Sequence, residues 1–149
     1  GYRPDLITFL SEPFEGELLV AGTIKIKLHI SSTAEDTAFT VKISEVFASG
    51  ETYNIVDGIT SLAYRNGAVT AVPYEPGRIE SISLDLWPIT WQLQSGSRIR
   101  FDISSSNFPA FHVHPNIAGN WAEQGSTQIA TQTLYGGGGF RSFIEIPIC

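Results

Sequence analysis

Residues 18–30 alternate with a period of two. Leu18 and Val20, then Ile24, Ile26, Leu28 and Ile30, share one face, while Thr23, Lys25, Lys27 and His29 share the other. A half-buried strand alternates in this way; a helix would return its apolar residues every three or four positions. The phase slips at Ala21-Gly22, where a glycine suits a bulge or a bend. Phe39, Val41 and Ile43 repeat the pattern against Thr40, Lys42 and Ser44, and Ser49-Gly50 reads as a hairpin turn into a strand over 52–56. A break at Asp57-Gly58 precedes a further candidate over 59–64. Ile82, Leu84 and Leu86 alternate with Ser81, Ser83 and Asp85, and Ile99, Phe101 and Ile103 with Arg98, Arg100 and Asp102. Residues 128–134 and 143–146 complete the set.

Between these runs lie turn signals at Glu12-Pro13, 34–36, Arg65-Asn66-Gly67, Glu75-Pro76-Gly77 and 94–97. Short strands with one apolar face, spaced by about ten residues, predict an all-β sandwich. The longer gap between Ser104 and Gln128 holds Pro109, Pro115 and Gly119 and reads as a structured loop. At 149 residues the chain fits one domain, 1–149, with enough interior to need no staple. Its net charge of −6 opposes what a phosphate-backbone or anionic-membrane partner requires. No apolar run approaches the roughly 20 residues of a membrane helix. The one cysteine, Cys149, cannot form an intramolecular disulfide, so stability is independent of an oxidising compartment and the expectation tilts to the cytoplasm. The chain has no methionine, which predicts a processed protein or a piece of a longer one.

Catalytic and metal patterns are weak. A serine hydrolase needs a nucleophile elbow and a histidine held beside it. The chain has no G-x-S-x-G, and Ser104-Ser105-Ser106 reads as a hydrogen-bonding turn. His112 and His114 form H-x-H, and Glu123 offers a third ligand, but the glycines and later histidine of a cupin-like metal site are missing. The glycine run 136–139 lacks the helix and Lys-Ser/Thr pair of a phosphate loop and reads as a hairpin tip. Glu35-Asp36 reads as an exposed turn. No catalytic residue, metal or cofactor is therefore expected. Aromatics stand out instead: Trp87 and Trp91 flank Pro88, and Phe108, Phe111 and Trp121 occupy the long loop. Such residues pack in a core, stack on a sugar, or anchor an interface.

An ordered set of segments resembles one family. Residues 3–13 (Arg3-Pro-Asp-Leu-Ile-Thr-Phe-Leu-Ser-Glu-Pro13) are similar to the start of the C-terminal domain of the X-Pro dipeptidyl-peptidase and cocaine esterase (α-amino-acid ester hydrolase) family. Leu19-Val-Ala-Gly-Thr23, Ser31-Ser-Thr-Ala-Glu-Asp-Thr-Ala-Phe39, Asp57-Gly-Ile59 and Tyr64-Arg-Asn66 continue the resemblance. Tyr74-Glu-Pro-Gly77, Leu86-Trp-Pro88, Gly96-Ser-Arg-Ile-Arg100, Ile103-Ser-Ser-Ser-Asn-Phe-Pro109 and Asn116 follow in order. The resemblance implies a jelly-roll (galactose-binding-like) β-sandwich belonging to a serine hydrolase that cleaves X-Pro dipeptides or hydrolyses esters. It also implies that the Ser-Asp-His triad sits in an α/β-hydrolase domain absent from this chain. That catalytic domain of the same polypeptide is the expected partner. The long loop 105–121 is the expected contact, with Asn107 and Asn116 as hydrogen-bonding anchors and Phe108, Pro109, Phe111 and Trp121 beside them. Self-association through the patch left bare is a further expectation, and a free-standing carbohydrate- or ligand-binding module is the alternative.

Overall fold

The first phase slip in the alternating pattern becomes a corner between two strands. The computed structural model describes residues 3–120 and 125–149, so Trp121 and Glu123 lie outside the described residues. The described strands are β1 (Ile7–Leu10), β2 (Leu18–Gly22), β3 (Lys25–Ser32), β4 (Ala38–Val46), β5 (Thr52–Ser61), β6 (Glu80–Asp85), β7 (Ile89–Leu93), β8 (Arg98–Ser104), β9 (Gln132–Tyr135) and β10 (Phe143–Glu145). Gly22 has φ of 127°, a conformation that a Cβ would strain, and it turns the chain out of β2. As a result β2 and β3 join different sheets.

One layer is the antiparallel sheet β1-β8-β4-β5. The other is built on β3, with β6 along one side and β9 and β10 end to end along the other. A ribbon pairs β2 with β7, and the last residues run along β2, where the Ala21 N–H donates to the Pro147 carbonyl at 3.1 Å. The alternating side chains of both layers meet in one core. Ile26, Leu28 and Ile30 of β3 face Val41 and Ile43 of β4, joined by Ile82 and Leu84 of β6 and Ile99 and Ile103 of β8. Each fully buried aliphatic side chain there contributes about 1.5–3 kcal/mol. The all-β sandwich expected from the alternation is thus the fold.

A carboxylate closes one end of this core. Glu45 lies on β4 and has no exposed surface. Its Oε1 accepts the Gln94 N–H at 2.7 Å and the Ser97 hydroxyl at 2.6 Å, and its Oε2 accepts Trp91 Nε1–H at 2.7 Å. A buried charge is tolerated when donors surround it, and here they come from β7 and the turn leading into β8.

The strands depart from the sequence expectation in four places. Asp57-Gly58 does not break the chain: β5 runs unbroken from Thr52 to Ser61. Gly58 is there because Leu86 crosses it. A Cβ at Gly58 would stand 2.4 Å from Leu86 Cδ2, whose side chain is held in the core. Gly58→Ala is therefore expected to cost about 1–3 kcal/mol through overpacking, read as a lower urea midpoint at unchanged slope. Second, β1 and β7 are strands that the sequence expectation did not include. β1, Ile-Thr-Phe-Leu, carries apolar residues on both faces and is exposed along its length, whereas β7, Ile-Thr-Trp-Gln-Leu, alternates cleanly over only five residues. Third, the glycine run 136–139 is not a hairpin tip. β9 and β10 both run antiparallel to β3, so residues 136–142 are an excursion inside one interrupted edge. Ser142 bridges the gap, its hydroxyl donating to the Tyr135 carbonyl at 2.6 Å and accepting the His29 N–H at 2.9 Å. Fourth, Asp36 is not an exposed turn residue but is 3% exposed.

Candidate interdomain contact site

β8 delivers the chain into the long loop through Ser104-Ser105-Ser106. Ser104 Oγ accepts the Ser106 N–H at 3.3 Å, the hydrogen-bonded turn expected of consecutive serines. Arg3 reaches across from the other end of the chain, donating to Ser104 Oγ at 3.2 Å and Ser106 Oγ at 3.0 Å. Its hydrogen bond to Asp5 holds that carboxyl below the ordinary carboxylate range and raises the guanidinium in turn.

The two asparagines expected to anchor contacts are turned toward their own domain. Asn107 Nδ2 donates to Asp57 Oδ2 on β5 at 3.1 Å, and the Phe111 N–H closes back onto the Asn107 carbonyl at 3.0 Å. Asn116 sits at φ of 63°, a conformation asparagine adopts more readily than most residues. Its Oδ1 accepts the Thr37 hydroxyl at 2.7 Å, and its Nδ2 donates to the Gln128 carbonyl at 2.9 Å. These bonds pin the loop to Thr37, just ahead of β4, and to the segment leading into β9.

Between the two asparagines lies the strongest fixture. Asp36 Oδ1 accepts the N–H groups of Thr37 and Ala63, each at 2.9 Å, while Oδ2 lies 3.3 Å from His114 Nε2. His114 Nδ1 accepts the Asn116 N–H at 3.0 Å, which places the ring proton on Nε2, facing Asp36. Both ring nitrogens of His114 are thereby engaged, and neither points at His112. His112 is exposed, with Nδ1 3.0 Å from the Val113 carbonyl.

Part of the loop faces outward. Phe108 is 73% exposed and Pro109 follows it through a cis peptide bond. Phe111 is half-buried and, with Val113 and His114, lines a cleft of about 470 Å³ against Ile59 and Tyr64. Ile59, Tyr64 and Val113 are themselves 40%, 53% and 49% exposed. The other aromatics separate: Trp91 is spent on Glu45, and Trp87 is 80% exposed. Asp36, Asp57 and Tyr64 complete the site, and sequence reasoning did not find their roles. The only available signal was the Asp36-Thr37 pair opening a strand, which turns share.

The strands and the pinned loop define an all-β sandwich domain. The chain belongs to the X-Pro dipeptidyl-peptidase C-terminal non-catalytic domain family, which residues 1–145 match. It is 31% identical to the cocaine esterase of Rhodococcus sp. (strain MB1 Bresler) over 148 residues, 98% of this chain and 26% of the esterase. Among solved structures it is similar to an aminopeptidase of a marine sediment Thaumarchaeota archaeon, with a TM-score of 0.90 and 25% identity over 99% of this chain and 26% of that one. An α-amino acid ester hydrolase gives a TM-score of 0.88 and 26% identity over the same shares. The chain thus spans about a quarter of the length of these relatives.

Proposed function

We propose that this chain is the non-catalytic domain of a longer serine hydrolase, a peptidase or esterase, and that it packs on the catalytic portion and helps shape the substrate entrance through the loop 105–121. The observation that supports this most is the combination of rigidity and bareness in that loop. Asn107, His114 and Asn116 tie it to the sandwich, while Phe108 and Val113 are left in solvent. Ordering a loop costs conformational entropy, and presenting apolar side chains from it costs solubility. A partner surface offsets both costs. The lengths of the relatives favour this reading over a free-standing binding module, since each carries about three quarters of its chain outside the matched region.

The test is made in the native polypeptide containing this domain. Its N-terminal portion should be labelled by a fluorophosphonate probe. Phe108→Ser and Phe111→Ser should lower its melting temperature and its kcat/KM, each removing about 1–2 kcal/mol of contact energy. In the isolated chain Phe108→Ser should change stability by no more than about 0.5 kcal/mol, as at an ordinary surface position. Unchanged melting and activity in the full polypeptide would remove the docking role from this loop.

A further inference from the structure

The sandwich is open along one side. Ile7 and Phe9 of β1 pair with Ile103 and Phe101 of β8, so they lie on the face that looks into the core. Yet they are 43% and 51% exposed, because among the described residues no strand of the opposite layer covers the β1 edge. On the facing lip, Leu134 and Ile144 pair with Ile30 and Ile26 and are likewise only half-buried. Between the lips runs an apolar groove of about 490 Å³ whose floor includes Leu28 and Ile103, residues of the main core. A second hollow of about 380 Å³ shares Ile7, Ile103 and Leu134 with it and continues toward Pro4 and Asp5.

We infer that this groove is a second docking face, filled by an apolar segment of the hydrolase portion of the same polypeptide. The inference rests on the reading that the chain is one domain of a longer hydrolase. Three observations choose the occupant. The relatives carry about three quarters of their length outside the matched region, which supplies a covering segment. The groove leads to Pro4 and Asp5, so the stretch that enters β1 lies along it, and any portion joined there is held at high effective concentration. The lips are unpaired strand edges bearing exposed apolar side chains, Phe143 among them at 48%. A protein segment covers such edges, whereas a small ligand fills only the hollow. One wall is the excursion 136–142 with its glycines, which can adjust to what enters.

The experiment compares hydrogen exchange in the native long polypeptide and in this chain alone. Amides of β1, β9 and β10 should exchange at least tenfold more slowly in the long form. Phe9→Glu should lower the melting temperature of the long polypeptide by several degrees while leaving the isolated chain within one or two degrees, and Phe9→Leu should restore most of the loss. Protection confined to the 105–120 region, with Phe9→Glu silent in the long form, overturns the groove and leaves the hydrolase reading intact. A concentration-dependent dimer of the isolated chain, abolished by Phe9→Glu, together with no added protection in the long form, assigns the groove to a second copy and also overturns it. A native polypeptide no longer than this chain overturns both.

Discussion

Glu45→Ala is expected to lower the unfolding free energy by about 3–5 kcal/mol, in the range for removing one partner of a buried charged network. Native domains are stable by only about 5–15 kcal/mol, so the loss is a large share of the total. The substitution deletes the acceptor of three donors, the Trp91 indole, the Gln94 amide and the Ser97 hydroxyl, and leaves a void among them. Each stranded buried donor costs about 1–3 kcal/mol unless water reaches it. Glu45→Gln sharpens the test. Its carbonyl can keep Gln94 and Ser97, but its NH₂ then faces the Trp91 N–H, so an intermediate loss is expected. Urea denaturation followed by tryptophan fluorescence reads both variants. Wild-type stability in Glu45→Gln would show that the charge is not what closes this end of the core. Glu51→Ala, at an exposed position in the hairpin turn, serves as the neutral control.

The second large effect is expected at Asp36. Asp36→Ala strands the Thr37 and Ala63 N–H groups and the Nε2–H of His114 together, with an expected cost of about 2–4 kcal/mol. The loss should also be local. Asp36 and Asn116 hold opposite sides of His114, so the segment 107–120 should come loose before the sandwich melts. Limited proteolysis should cut there under conditions that leave wild type intact. Asp36→Asn should not rescue the loop, because its amide would point a donor at a ring nitrogen that already bears the proton. A variant as resistant as wild type would mean that Asn107 and Asn116 alone fix the loop.

The sandwich was legible because β6 and most of β3 are buried on one face only. Ile24, Ile26, Leu28 and Ile30 point inward and their neighbours outward, and period two records that asymmetry directly. β1 was not legible for a physical reason with functional weight. Its inward residues, Ile7 and Phe9, are exposed because the facing layer stops short, so their burial depends on something outside the sheet. A pattern rule that assumes a covered face has nothing to detect there. Gly58 misled in the opposite sense: a close approach by Leu86 looks, in sequence, like a turn. At the site, the exposed aromatics were visible by residue type, but what holds them was not. Asn107 and Asn116 have the residue type of surface contacts, and their partners Asp57 and Thr37 are far off in the chain. Asp36 and His114 are joined only by the fold.

The interrupted edge formed by β9 and β10 has a consequence for the domain when it stands alone. A stray extended strand arriving at that edge meets four residues of β9, then the detour 136–142, then three residues of β10. Fibre growth by edge pairing needs a longer flat template than either piece offers. An incoming strand therefore finds little to pair with along the β9–β10 edge, which blunts extension of the sheet from one molecule into the next on that side.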